Sequence, residues 1–259
     1  MDKSSLGGIL VAVVGILGGL LLDGGNVGQI LQPTAAMIVF GGTLGAIMLQ
    51  FPLPIVLLAF TNLMNIFFER GSKAEETIAR LVGYAVKARK DGVVSLDGEL
   101  ENIPEPFLKK SLMLAVDGTE PQELRKMMEL VMDNQAEHEE NIPKVFESAG
   151  GFAPTVGILG AVLGLIQVMQ RLNNIQEVGR GIAVAFVATI YGVASANLFF
   201  LPSAGKLRLR LREEQVQREI VLEGVISILE GMNPRMLETK LRGYLAETSK
   251  PKAQQKDAG

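Results

Sequence analysis

Cysteine is absent from the 259 residues and histidine occurs once. Without cysteine there is no disulfide framework, no thiolate nucleophile and no cysteine-bound metal. The one imidazole, His138, sits in the charge run AEHEEN without HExxH spacing and reads as part of a solvated face. Charge of one sign is also lacking: 25 Lys and Arg against 28 Asp and Glu leave a net −3. No basic block or aromatic-interleaved basic stripe suggests nucleic acid. The chain has no nucleophile–base pair, no metal-ligand set and no phosphate loop, because its clustered glycines have no strand before them and no Lys-Ser/Thr after. Neither an enzyme activity nor a cofactor is expected.

What is present is apolar and clustered. The chain is 48% hydrophobic, with a mean hydropathy of +0.28. A bilayer-spanning helix needs about 20 mostly apolar residues. Four segments qualify: Leu6–Leu22, Thr34–Gln50, Gly151–Met169 and Gly181–Leu201. The first follows MDKSS and has no A-x-A site, so it reads as an uncleaved span. A fifth apolar run, Leu53–Phe68, follows FPLP, and its Thr61, Asn62, Asn65 and Glu69 recur at helical spacing, as in a helix lying in the membrane interface.

The basic residues orient these spans. KLRLRLR, with Lys206, Arg208, Arg210 and Arg212, directly follows the last one, and such clusters belong on the cytoplasmic side. Four spans then place the N-terminus, residues 69–146 and the tail in the cytoplasm. The expected fold is an all-α integral membrane protein with four transmembrane helices, a helical cytoplasmic insert between spans two and three, and a cytoplasmic C-terminal tail. Its expected segments are 1–68 (two spans and the interfacial helix), 69–146 (insert), 147–203 (two spans) and 204–259 (helical extension and disordered tail).

Within the insert, Ile78, Leu81, Val82, Ala85 and Val86 have helical spacing, and Gly92 follows as a C-cap. Thr119 with Gln122 and Pro121 reads as the start of another helix, with Met127, Met128, Val131 and Met132 on its core side. In the tail, Val216, Ile220, Leu222 and Ile226 form a helical stripe, and residues 247–259 are expected to be disordered.

Glycines four apart (Gly15 and Gly19, Gly41 and Gly45, Gly160 and Gly164) suggest close helix packing. Pro154 reads as a first-turn proline. Pro202 either stops the fourth helix or, if that helix continues into KLRLRLR, lies inside it as a kink. No ionisable group except Tyr191 lies within the four spans. Ion-coupled carriers keep a titrating group in the membrane despite its cost. Any such group here must come from a partner, whose carboxylate Thr189, Ser195 and Asn197 could satisfy.

Three passages then resemble one family: GGFAPTVGILGAVLGLIQVM (150–169), GIAVAFVATIYGVASANLFFLP (181–202) and KARKDGVVSLDGELENIPEPFLKKSLMLAVDGTEP (87–121). They look like the MotA family of flagellar stator subunits, within the MotA/TolQ/ExbB group. The resemblance implies a homopentameric ring in the bacterial inner membrane, around a pair of single-span MotB-like partners whose membrane aspartate carries the ion. It implies that Pro154 and Pro202 couple ion passage to movement and that Thr189 faces the ion site. Arg89 and Lys90 match the basic pair that meets a FliG-like rotor protein, with Asp97 and Glu101 as acidic counterparts. Gly98 replaces a frequent glutamate, which lightens the acidic half. Ala161 stands where sodium-driven relatives carry threonine, which implies protons as the transported ion. The rival resemblance is a TolQ/ExbB-like energiser of envelope transport, against which the four spans and the KARKDG segment speak. A self-contained channel or secondary transporter lacks its membrane carboxylate here and has no detectable inverted repeat.

Overall fold

Glycine and proline punctuate a chain whose regular elements are all helical among the residues described by the computed structural model, 3–65 and 74–248. Helix α1 covers Lys3–Leu22 and ends at Gly24, whose φ of 82° lets the Gly25 N–H reach the Leu20 carbonyl at 2.9 Å. A 3₁₀ turn, Val27–Ile30, leads into α2 (Pro33–Gln50), which contains a π turn at Met37–Gly41. Helix α3 (Leu53–Asn65) follows the Pro52 break. Then come α4 (Ala74–Asp91), a 3₁₀ segment Val93–Asn102, α5 (Pro106–Val116), α6 (Pro121–Gln170), α7 (Ile175–Leu229) and α8 (Pro234–Thr248). Residues 66–68 of the expected interfacial segment and 249–259 of the expected disordered tail lie outside the described residues, whereas Glu247 and Thr248, also expected in that tail, end α8.

Among the described residues, four helices are long and apolar enough to cross a membrane: Ser4–Leu22, Pro33–Gln50, Pro121–Gln170 and Ile175–Leu229. The last two run for 50 and 55 residues, so the apolar runs 151–169 and 181–201 are parts of much longer helices. Pro154 is therefore internal to α6 rather than in a first turn, as is Pro143. The stretch from the helix start to Pro143 is rich in Glu and Met, with Leu and Gln besides, which favour helix enough to carry it through two missing donors. Helix α6 begins at Pro121, so its cap is Glu120 and not Thr119. The Thr119 N–H is already used: it closes the end of α5 on the Leu114 carbonyl at 3.1 Å, across Gly118 with φ 82°.

The two ways of reading Pro202 are decided by the continuity of α7, which passes through it. A π turn at Ala196–Phe200 immediately precedes it, and the Leu201 N–H reaches back to the Ala196 carbonyl. The wider turn takes up the ring where a normal helix would collide with it.

The chain divides into two compact units: Met1–Glu69 with Glu139–Leu209, and Arg70–His138 with Arg210–Gly259. These boundaries differ from the four linear segments expected above, because residues after Leu209 pack with the 70–138 region. In this charged unit, Ile220–Ile228 is buried all round rather than along one stripe, and Ile78, Leu81, Leu96, Leu112, Leu124 and Leu241 pack in the same core. Met128 is fully buried there, whereas Met127 and Val86, expected on core faces, are 41% and 54% exposed. In the apolar unit, Val56 and Ala59 of α3 pack with Val145, Phe146, Ala149 and Ala204.

Candidate functional site

Helices α6 and α7 lie antiparallel and touch through backbone. A Cβ placed on Gly192 would sit 2.5 Å from the Ala153 carbonyl oxygen, and one on Gly157 2.8 Å from that of Ala188. Farther along, Gly160 faces Ala188, and Gly164 faces Ala185 and the Gly181 carbonyl. The expected Gly160–Gly164 contact is thus part of a longer seam that also needs Gly157, Gly181 and Gly192. Gly157 and Gly192 carried no glycine–glycine signature, because the residues four away from each are alanines: Ala153 and Ala161, and Ala188 and Ala196. Gly15, Gly19, Gly41 and Gly45 instead meet nothing within 4 Å inside the chain.

This seam sets the heights of the candidate ion-path residues. Gly157 adjoins Thr189 and Gly192, while Gly192 adjoins Ala153, so Pro154 and Thr189 are brought to neighbouring levels. Ala161 follows Gly160 at the Ala188 level. Pro202 lies toward the other end, where Leu201 meets Gly150. Pro154, Ala161 and Thr189 are half-buried, and Pro202 is exposed. Both prolines remove a donor: in α6 this releases the Gly150 carbonyl four residues before Pro154, and in α7 it leaves a carbonyl of the π turn before Pro202 without its N–H.

Thr189 opens on an apolar groove of about 470 Å³ that it shares with Val193, Leu198 and Ile16. Its hydroxyl donates to the Ala185 carbonyl at 3.3 Å, and that of Ser195 to Gly192 at 3.2 Å. With their protons directed to backbone, both oxygens keep lone pairs for an outside donor or ion. A second cleft, of about 370 Å³, lies beside Pro202 and is lined by Asn197, Ser203, Ser4, Ser5 and Lys206. There the Lys206 ammonium donates to Ser5 Oγ at 2.6 Å and to Ser4 Oγ at 3.3 Å.

Tyr191, the titratable residue of the spans, is engaged elsewhere. Its phenol donates to the Ile30 carbonyl at 2.5 Å and accepts from the Gln32 N–H at 3.2 Å, and its ring stacks on Phe40 with centroids 6.0 Å apart. It fastens the connection between α1 and α2 to α7. The seam therefore offers oxygen ligands and no charge: it can line the route to a carboxylate but cannot itself bind and release a proton.

The other group of candidates lies in the charged unit. Arg89 and Lys90 end α4, and Gly92, at φ 83°, turns the chain into the 3₁₀ segment that carries Asp97 and Glu101. All four are exposed, and none has a side-chain hydrogen bond or ion pair among the described residues. Leu96 anchors the segment in the core. Sequence reasoning missed a contact between them: Lys87 Nζ lies 2.6 Å from Glu99 Oε1. Burial, and next the Glu99 charge, push the nearby Tyr84 phenol above its ordinary pKa.

Deeper in this unit, Glu223 of α7 binds Arg125 of α6 at 2.7 Å and also Lys240 of α8. Burial alone would raise the Glu223 carboxyl, but hydrogen bonds from Lys240 and Arg125 outweigh it and hold the pKa below 4.5. The same carboxylate raises Arg125.

Among the described residues the protein is all-helical, with four helices apolar enough to cross a membrane and a glycine seam lined by hydroxyl oxygens. Comparison with known proteins identifies the family. The N-terminal description of motility protein A matches residues 6–92, and the MotA/TolQ/ExbB proton channel family matches residues 99–220. Motility protein A of Bacillus subtilis (strain 168) is 35% identical over 247 residues, covering 95% of this chain and 91% of that one. The structure of C. jejuni MotAB superposes with a TM-score of 0.89 at 32% identity, covering 98% and 100% of the two chains. The flagellar MotAB stator complex from Bacillus subtilis gives 0.86 at 34% identity, covering 95% and 98%. The chain belongs to the MotA/TolQ/ExbB proton channel family. Within it, this is an ion-channel subunit of the flagellar stator, located in the inner membrane.

Proposed function

We propose that this subunit forms a homopentameric ring around a MotB-like partner and lets protons reach that partner's membrane aspartate. The observation that carries this reading is the α6–α7 seam, which presents the Thr189 oxygen in a wall with no titrating group of its own. Four spans, with both termini and the charged unit in the cytoplasm, leave KLRLRLR on the side that basic residues prefer. Protonation of the aspartate removes its charge and its call on Thr189. Pro154 and Pro202, each next to a released carbonyl, are the places where α6 and α7 can bend in response. The available work is about 2.3 kcal/mol per charge per 100 mV.

In this reading the exposed Arg89, Lys90, Asp97 and Glu101 meet a FliG-like rotor protein. Exposed ion pairs contribute only about 0–1 kcal/mol each, so such contacts form and break repeatedly while still steering approach. Ala161 supplies no oxygen, which suits a proton better than a sodium ion that must replace its water.

Deletion of the gene should leave cells flagellated by electron microscopy but paralysed. The wild-type gene should rescue them, and an Arg89→Glu, Lys90→Glu variant made at normal levels should not. Paralysis traced to missing flagella, or normal swimming with no second stator set in the cell, would overturn the motor reading. Swimming should persist without sodium and stop when the proton gradient is dissipated; the reverse pattern would overturn the ion assignment alone.

A further inference from the structure

Most ion pairs of the charged unit have a local explanation. Arg80–Glu76 and Arg242–Glu238 join residues one helical turn apart, and Glu223 with Arg125 and Lys240 closes the core. Arg242 also reaches Glu75 at 3.6 Å, between α8 and α4. Lys87–Glu99 is the pair that lies among the rotor-contact candidates. It joins two elements 12 residues apart in sequence, at 2.6 Å, with both side chains a little over a third exposed. Lys87 lies on α4 just before Arg89 and Lys90. Glu99 lies between Asp97 and Glu101 on the 3₁₀ segment. The pair therefore ties the element carrying the basic candidates to the element carrying the acidic ones.

The segment needs such a tie. It leaves α4 through Gly92 in the left-handed region and contains Gly98 beside Asp97. Its other attachments are apolar or local: Ser95 Oγ donates to the Gly92 carbonyl at 2.6 Å, Leu96 enters the core, Leu100 packs against that core beside Glu99, and Ile103 is buried just beyond. Between Leu96 and Ile103, the bond at Glu99 is the charged contact that fixes how far the acidic residues stand from Arg89 and Lys90. A half-exposed pair contributes little to folding, because Leu96, Ile103 and Phe107 hold the segment's ends regardless.

We propose that Lys87 and Glu99 are positioning residues for the rotor contact: their ion pair sets the spacing of the basic and acidic residues that meet the rotor. This rests on the rotor reading above. The pair does not touch the rotor's reacting surface as a charge of its own. It holds the geometry in which Arg89, Lys90, Asp97 and Glu101 act together.

The test compares Lys87→Glu, Glu99→Lys, the double exchange Lys87→Glu with Glu99→Lys, and Arg89→Glu with Lys90→Glu as a control. All are made in the full-length chain with its native partner. Torque per stator is read from stepwise speed recovery of tethered beads. Protein level is read from membranes, and ion conduction from cytoplasmic acidification. Each single reversal should cut torque per stator about threefold, and the double exchange should restore most of it, with conduction unchanged throughout. The two singles shift net charge in opposite directions. A loss in both is therefore a pairing effect, whereas a gain in one and a loss in the other is a net-field effect and overturns the proposal.

Normal torque in both singles, or no recovery in the double exchange, also overturns it while the control remains paralysed and the rotor reading stands. If the control itself turns normally, the rotor reading fails and takes this proposal with it. Should a reversed variant not accumulate, Glu99→Gln removes the charge at nearly constant shape; it should lower torque in the same direction, and unchanged torque would count against the pair.

Discussion

In the apolar unit Gly192 faces backbone: an added Cβ would stand 2.5 Å from the Ala153 carbonyl oxygen. In the charged unit Gly224 faces a side chain: an added Cβ would stand 2.6 Å from Leu81 Cδ1. The distances are nearly equal and the consequences are not. A carbonyl inside a continuous helix moves only if the helix moves, whereas a leucine can change rotamer at a cost set by its neighbours. The apolar unit is thus built by bringing main chains together, as membrane helices do when hydrophobicity no longer separates inside from outside. The charged unit is built as a water-soluble core, with large side chains and one enclosed charge cluster.

The largest effect should follow from Gly192→Ala. The new methyl group forces α6 and α7 apart at the level of Pro154 and Thr189, and the expected outcome is a paralysed cell. Torque per stator, measured in variants that still reach the membrane, should be abolished. Normal motility in this variant would show that the seam tolerates separation and is not what positions Thr189.

Next comes Glu223→Gln, where the comparison moves to the enclosed charge. Gln cannot neutralise Arg125 and Lys240, and the loss should be about 2–3 kcal/mol, moderated because both cations reach solvent. The pH dependence has a definite sign. A carboxyl whose folded pKa lies below the unfolded value contributes stability that is present above the unfolded pKa and is lost as pH falls through the folded one. The intact detergent-solubilised protein should therefore lose thermal stability below about pH 4.5, and Glu223→Gln should flatten that slope. An unchanged slope would assign the acid sensitivity to other carboxylates.

The same contrast explains what could be read from the sequence. The long apolar helices were legible because long uncharged runs have few other uses. The placement of Pro154 was not: the end of hydrophobicity at Gly151 suggested a helix start, whereas helix propensity carries α6 on from Pro121. Hydropathy marks what a helix touches, and not where its hydrogen bonds stop. The buried Ile220–Ile228 stretch was misread as a one-sided stripe because Glu223, Gly224 and Ser227 interrupt it. Each is accommodated by a specific partner: Glu223 by Arg125 and Lys240, Gly224 by Leu81, and Ser227 by Lys240 at 3.2 Å. Only the tertiary structure supplies those partners. The Lys87–Glu99 bond was hidden for a similar reason, since a spacing of 12 residues matches no helical repeat.

Gly224→Ala and Gly83→Ala give the smaller tests and reach opposite signs. At Gly224 the methyl group displaces Leu81, which is itself fully buried, so the expected cost is about 1–3 kcal/mol and a lower melting temperature, without the paralysis expected of Gly192→Ala. Gly83 lies on an exposed face inside α4, and an added Cβ meets nothing within 4 Å. Alanine there removes backbone freedom from the unfolded chain without a native clash, and should stabilise by about 0.4–1 kcal/mol. The melting temperature of the intact protein reports both. If Gly83→Ala destabilises while torque also falls, the α4 face is covered in the working stator, and the open space beside it belongs to another protein surface. If it stabilises and torque is unchanged, the rotor contact lies beyond this turn, nearer Arg89 and Lys90.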